Sequence, residues 1–462
     1  MLTIRDIVPS NSGDYSAIAN DWGTATSRVA RIEVAPPSRA PGSLDLSFRP
    51  VVDAGGGIAT LLQDDAGNTL ITGNQSEASV TRVFWQRFSP AGQLDTNFSR
   101  KVEYAGLGAI RTTAIQPDGK ILFGGSFPVA IGRAGIEVVR MNADGTQDLT
   151  FQEDLGPNSG CCLRIAGALL PLPDGKILLG RAFDLITGQP PRPLLRLNPN
   201  GSLDQAFSID VQINNTAEER PNVQALVPDG AGGVFVGGYF QLFGGQLRNH
   251  VAHLLPDGNV DPNFVGDLSS IGFVEKLILQ SDGRLLVGGS LHLRRDGQPR
   301  SAIRLHRDGT IDPTFTPSLS LNLRLLTMEP GGFIFATATL RYDPPSDYVT
   351  SLVRLFPDGR LDPRFTAELS PVTGLAGALP QANGDLIIAG GFTAVNDVPQ
   401  QFLARIRGGP MDNLHLTSLG FGHGSPSFYA QIPAGARYSL DSQTHSHRRP
   451  GECSGTVSGM GR

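Results

Sequence analysis

Short apolar runs separated by polar turns recur along most of the chain, and they recur at a regular interval. The clearest copy spans His253 to Phe264, where His-Leu-Leu leads into Pro-Asp-Gly and a second short strand ends in Asp-Pro-Asn-Phe. The Asp and Phe of that ending appear at Asp45/Phe48, Asp95/Phe98, Asp148/Phe151, Asp204/Phe207, Asp261/Phe264, Asp312/Phe315 and Asp362/Phe365. Successive copies lie from 50 residues apart (Asp45 to Asp95) to 57 (Asp204 to Asp261). Such an interval marks a stacked or circular repeat array, because one unit of this kind cannot bury its own apolar face.

Each interval holds a second constant element, as in Gln116-Pro-Asp-Gly-Lys-Ile-Leu-Phe-Gly-Gly-Ser-Phe127, with equivalents beginning near Asp174, Asp229, Asp282, Gly331 and Asn383 and a weaker one at Asp65. The strand after this turn is apolar almost throughout, as a strand covered on both faces must be. The Gly-Gly after it suits a bulge or close backbone approach. Four strands per interval follow: one before the inner turn, one after it, one ending in Arg-Leu and one carrying Leu-Asp-x-x-Phe. Four antiparallel strands form a propeller blade. The expected fold is an all-β, seven-bladed β-propeller over residues 38–409.

The flanks differ. Residues 1–37 alternate as strands at Leu2–Ile7 and Ala25–Val34, and residues 410–444 read as a β-segment in which Phe428–Ile432 and Ala436–Leu440 form a hairpin about Pro433-Ala434-Gly435. The tail, 445–462, has almost no apolar residues and reads as disordered.

Composition narrows the picture further. Gly (57) and Pro (34) together make about a fifth of the 462 residues, natural for many short strands and turns. No run of 18 apolar residues exists, so no membrane span is expected. The formal charge of −5 comes without large single-sign blocks and argues against nucleic acid as a partner. Cys161, Cys162 and Cys453 have no Cys/His cluster around them and read as free or loosely paired thiols, not a zinc site.

The block Pro-Asp-Gly-Lys-Ile-Leu and the block Arg-Leu-Asn-x-Asp-Gly-x-Leu-Asp-x-x-Phe together resemble the delta-60 repeat family of large secreted or surface proteins of bacteria. Gln147 stands for the usual Leu, His253 for the Arg, and Gly331-Gly332 for Asp-Gly. Residues 1–37 resemble the last three strands of an immunoglobulin-like domain, with Gly13-x-Tyr15 at the tyrosine corner, but Asn11 replaces the usual Asp and Ala17 the second disulfide cysteine. The resemblance implies an extracellular or cell-envelope location. The chain is expected to be a monomeric fragment of a larger multidomain protein.

A basic residue precedes the motif Asp by eight positions in six copies: Arg87 before Asp95, Arg140 before Asp148, Arg196 before Asp204, His253 before Asp261, Arg304 before Asp312 and Arg354 before Asp362. A three-residue hairpin with Gly in the left-handed position sets the two opposite each other, predicting a repeated cross-strand ion pair. Asp45 lacks a basic residue eight before it, and Arg405 lacks an Asp eight after it. A closed ring would let these two answer each other.

Other chemistry finds less support. The Asp-Gly-x-x-Asp spacing lacks the remaining ligands of a calcium loop, and Asp and Gly are ordinary turn residues, so neither metal nor cofactor is expected. Carboxylates outside the repeat positions (Glu153, Asp154, Asp184, Glu218, Glu219, Asp343, Asp347) are scattered, and no nucleophile elbow is present. The expected role is therefore non-catalytic: recognition of a polysaccharide or protein through the variable loops near 152–164, 208–221 and 341–349, with Tyr342 and Tyr348 as aromatic contacts. Tyr239 and Phe243, close to a Gly-Gly strand end, read as core. A carbohydrate-active hydrolase or lyase using one propeller face is the alternative.

Overall fold

The computed structural model describes residues 2–4, 13–15, 18–20, 24–26, 30–35, 40–53, 56–77, 80–105, 109–130, 133–155, 164–184, 192–213, 221–294, 297–317, 323–341, 348–370, 374–409, 430–433 and 438–440. These residues are all-β, without a helix, and the chain divides into two compact units.

The larger unit comprises residues 46–381 and 386–405. Its second repeat shows the common plan, an antiparallel sheet of Ala109–Ile115, Ile121–Ala130 and Arg133–Met141 in that order. The expected turns lie between the first two strands and after the third: Gly119 N donates to Gln116 O and Gly145 N to Asn142 O, with φ of 79° and 84° at the two glycines. The sixth repeat keeps this turn with Gly331 in place of Asp, since Gly332 N donates to Glu329 O.

Four strands per repeat is corrected to three for most sheets. The second, third, fourth, fifth and seventh repeats form three-stranded sheets, the first forms four strands, and the sixth sheet holds six. The Leu-Asp-x-x-Phe segment usually makes one bridge, such as Met141 to Gln147 or Leu305 to Ile311, and then turns away. Asp148 shows why. Its backbone N donates to Arg140 O at 2.9 Å, its Oδ1 then accepts Thr150 N at 2.9 Å, and its O accepts Phe151 N at 3.3 Å. An aspartate that bonds its own backbone two residues on bends the chain out of the ladder.

That bend delivers the motif Phe into the apolar layer between one sheet and the next. Phe151 packs with Leu122 and Val138 of the second sheet and Ala166 and Ile177 of the third, and Phe207, Phe264 and Phe315 repeat this at the following layers. The core therefore lies between repeats, which is why no repeat buries its faces alone. Glycine makes the approach possible: a Cβ on Gly237 would stand 2.6 Å from Val274 of the next repeat. The first strands of successive sheets (Gly57–Gln63, Ala109–Ile115, Arg164–Pro171, Asn222–Pro228, Leu268–Leu279, Leu323–Met328, Leu375–Pro380) each lie against the next, and Leu375–Pro380 lies against Gly57–Gln63. One further layer unites Phe48, Leu61, Ile71 and Phe84 with Ile387, Ala389 and Leu403.

In the smaller unit, Leu2–Ile4 pairs antiparallel with Tyr438–Leu440, and Ala30–Ala35 pairs antiparallel with Gly13–Tyr15 and parallel with Ala430–Pro433. The expected C-terminal hairpin is thus replaced by pairing with N-terminal strands. Both flanks offer open strand edges, and the edges satisfy each other. The strand expected over Ala25–Val34 is divided into Thr24–Thr26 and Ala30–Ala35. Within this unit Leu44 bridges Ile406, Gly42 N donates to Arg407 O at 2.7 Å, and Arg407 N donates to Ser43 O at 2.8 Å.

Candidate functional site

The most regular polar geometry is the pairing of each third-strand arginine with its motif aspartate. Arg87 Nη2 lies 2.6 Å from Asp95 Oδ2, Arg140 Nε 2.8 Å from Asp148, Arg196 Nε 2.7 Å from Asp204, Arg304 Nε 2.8 Å from Asp312 and Arg354 Nη2 2.8 Å from Asp362. Each guanidinium also lies over the motif Phe, from 4.2 Å at Arg87/Phe98 to 5.2 Å at Arg354/Phe365. Its remaining edge reaches the following repeat: Arg87 Nη1 donates to Ala143 O and Arg140 Nη1 to Pro199 O. A planar, five-donor group does all three at once, which lysine cannot.

A second cation completes the clasp, and sequence reasoning missed it. Lys120 Nζ lies 3.0 Å from Asp148 Oδ2, Lys176 Nζ 2.9 Å from Asp204 and Arg284 Nη1 2.9 Å from Asp312. The signal was available, because each of these residues follows the inner-turn glycine 28 positions before its Asp. Lys176, with Arg196 beside it, holds the Asp204 carboxyl down to about 2 against the upward push of burial. Burial pushes Asp148 up as well, but the Thr150 hydroxyl and Lys120 outweigh it and hold the group well below the carboxylate range.

The fourth repeat solves the same problem differently. His253 replaces Arg, its Nδ1 2.9 Å from Asp261 Oδ2 and its Nε2 3.1 Å from Asp229 Oδ2, and it stacks on Phe235 at 4.4 Å. Asp229 is not the turn aspartate its Pro-Asp-Gly setting suggested. Its N donates to Gly233 O, as Gln116 N does to Lys120 O, and Gly232 stands in the place of Gly119, with Gly230 left-handed as well. Asp229 thus fills the Gln116 place and Gly233 the Lys120 place, so a carboxylate takes the side where other repeats bring a cation.

At the two ends of the series, Arg405 lies 4.9 Å over Phe48 and donates to Pro90 O and Ser47 Oγ, each at 3.2 Å, all within the larger unit. In the smaller unit, buried Asp45 accepts Arg407 Nη2 at 2.7 Å, and Arg407 Nη1 reaches Asp385 at 2.8 Å. Tyr342 lies outside the described residues, as do Cys161, Cys162 and Cys453. Tyr348 opens the strand Tyr348–Leu355, opposite Arg341, so the expected loop at 341–349 is shorter than read. Phe243 is fully buried, and Tyr239 stacks on His250 at 5.8 Å. Glu153, listed among scattered carboxylates by its sequence setting, is buried and accepts the backbone N of Glu137 and Val138, while Glu137 holds Arg181 through two 2.8 Å contacts. Arg181 stands where other repeats have the second Gly of Gly-Gly.

One buried carboxylate is poorly served. Glu329 is 3% exposed, its Oε1 has no hydrogen-bond partner among the described residues, and burial raises its pKa against the opposing charge of Arg354. Gln116, Gln280 and Gln381 occupy the equivalent turn position. Glu329→Gln is expected to stabilise the protein by about 1–2 kcal/mol at pH 7. Because the folded-state pKa is raised, the cost of the charged form appears as pH rises above 4.5 and through the folded value, so the gain should shrink at pH 5. Urea denaturation at both pH values checks this; an equal gain at both would discard the explanation.

A cleft of about 390 Å3 opens beside the Arg304/Asp312 pair, bounded by Leu293, Arg300, Ile311 and Thr316. Among the described residues Asp312 is the one carboxylate in its lining, and Arg304 and Arg284 hold it.

Residues 116–151, 172–207, 232–264 and 280–315 match the family described as "Domain of unknown function (DUF5122) beta-propeller". Each match begins in the inner turn and ends on the motif Phe. No curated protein matches the chain. Among solved structures, PorZ, a bacterial surface component of the type-IX secretion system of Porphyromonas gingivalis, is similar at 12% identity over 83% of this chain and 58% of its own, with a TM-score of 0.40. The GH74 xyloglucanase of Xanthomonas campestris is similar at 14% identity over 86% of this chain and 59% of its own, TM-score 0.40. The polysaccharide lyase Uly1 is similar at 10% over 87% and 98%, TM-score 0.40. The chain spans little more than half the length of the first two. In its second to fifth intervals, the chain carries repeats that match a β-propeller family.

Proposed function

We propose that the chain is a seven-bladed propeller of delta-60 type that serves as a non-catalytic binding or scaffold module, at the bacterial envelope or outside the cell. The observation that carries this reading is that the repeated charges are answered within the array: every motif aspartate from Asp95 to Asp362 has its own basic partner. Repetition here supports packing and not a ring of reactive groups. The cycle of first-strand contacts that returns to Gly57–Gln63 supports the blade count and ring closure. Glycoside hydrolysis calls for two carboxylates facing one bond, whereas the cleft beside Arg304 offers one among the described residues, already engaged.

The test is a binding screen of the full chain against bacterial and algal polysaccharides with released sugar followed in the same wells. Saturable binding without release is expected. Release of sugar would overturn the reading in favour of a hydrolase or lyase.

A further inference from the structure

Counted back five residues from the start of each inner turn, Arg111, Glu275, Arg324 and Ala376 occupy one level of the first strands. At that level the fifth, sixth and seventh repeats enclose a recess of about 90 Å3, lined by Glu275 and Lys276, by Arg324, and by Ala376 and Gly377. This is room for about three waters.

The cations here differ from those of the clasps. The Lys276 side chain makes no hydrogen bond or ion pair among the described residues, while its backbone pairs with Gly288. Among the described residues the Arg324 side chain donates only from Nη1, to Leu375 O at 2.8 Å. Glu275 lines the same recess yet forms no ion pair with either. The Lys276 side chain reaches solvent but stands crowded by protein, and that crowding, with the charge of Arg324, lowers its pKa below the ordinary lysine value. Two cations thus converge on a small polar space while every clasp cation has a carboxylate.

We propose that this recess binds a single oxyanion group, a carboxylate, sulfate or phosphate, between the Lys276 ammonium and the Arg324 guanidinium. The unengaged donors of Arg324 present a planar edge to two oxygens, and Lys276 supplies a point charge from the neighbouring strand. An anion relieves the repulsion between the two cations, and Glu275 limits its affinity.

The test is calorimetric titration of the full chain with sodium sulfate, phosphate and acetate at constant ionic strength, with chloride as the reference. Saturable binding is expected, weakened at least tenfold by Lys276→Met and by Arg324→Met, tightened by Glu275→Gln and unchanged by Arg360→Gln in an exposed turn. Arg324→Lys should retain part of the affinity. Should Arg324→Met fail to fold, Lys276→Met decides, since the Lys276 side chain makes no bond that folding would lose. No saturable binding, or binding indifferent to Lys276→Met, overturns the proposal. Uronate-bearing oligosaccharides in a second arm tell a free anion from an anionic group on a larger ligand. The inorganic arm stands whatever the polysaccharide screen returns.

Discussion

Asp362→Ala is expected to destabilise the protein by about 3–5 kcal/mol, because it leaves a buried guanidinium without its counter-charge. Asp362 is fully buried and accepts Arg354 Nε at 3.0 Å, Arg354 Nη2 at 2.8 Å and Arg364 Nε at 2.8 Å. Arg354 is itself only 3% exposed, held between the Phe333 and Phe365 rings. Asp95→Ala breaks the same motif where both side chains are about a quarter exposed, and should cost about 1 kcal/mol or less. Removing both members of the buried pair, as Arg354→Leu with Asp362→Ala, should recover much of the loss. Chemical denaturation of the three variants beside the parent checks this ordering. Equal losses at the two sites would mean that burial does not set the strength of the clasp. The depressed pKa of Asp362, where Arg364 and Arg354 overcome the opposing effect of burial, gives the sign of its pH dependence: its stabilisation is present above pH 3.8 and lost as pH falls further.

His250→Phe should remove a loss of stability of about 3 kcal/mol that the protein suffers between pH 6.5 and 4. The imidazole is buried, neither ring nitrogen has a hydrogen-bond partner among the described residues, and burial drives its pKa down to about 4, only partly offset by the Ser270 backbone. A histidine with a depressed folded pKa is protonated first in the unfolded chain, so its penalty begins below pH 6.5 and is complete near the folded value. The aspartates with lowered pKa act only below this window. The backbone here is left-handed, with φ of 65°, which ordinarily resists aromatic residues. Phe402 shows that it need not: its φ is 64°, its N donates to Phe392 O as His250 N does to Phe240 O, and its O accepts Gly390 N as His250 O accepts Gly238 N. Thermal melts at pH 7 and pH 4.5 should separate the variant from the parent only at the lower pH. Measuring it in the Glu329→Gln background removes the carboxyl that titrates with the opposite sign. Equal separation at both pH values would exclude titration as the cause.

How much of this was legible beforehand follows from where each interaction sits along the chain. Arg140 and Asp148 lie eight residues apart across one hairpin, so counting positions placed them opposite each other. Lys120 joins the same carboxylate from another hairpin 28 residues earlier, and inspection of near neighbours alone passes over it. The motif Asp was read as part of a fourth strand because its neighbours alternate like one. Its own carboxylate, bonded to the backbone two residues on, ends the strand. Asp229 was misplaced because Pro228-Asp229-Gly230 imitates the turn motif while the turn is closed from Asp229 N to Gly233 O, one step later along the chain. Glu137, Glu153 and Arg181 carried no local pattern at all, since what joins them is the stacking of the second sheet on the third.

The layer that unites Phe48, Leu61 and Phe84 with Ile387, Ala389 and Leu403 bears on the order of folding. Every other layer joins segments about one repeat apart, whereas this one joins segments more than three hundred residues apart. Loop-closure entropy grows with the logarithm of the connecting length, so this contact starts roughly 1.5–2 kcal/mol behind the others. Neighbouring sheets can dock one after another along the chain, but the packing of the first sheet on the last must wait until segments this far apart in sequence meet. The packing of the first sheet on the seventh is therefore expected to form last and to open first.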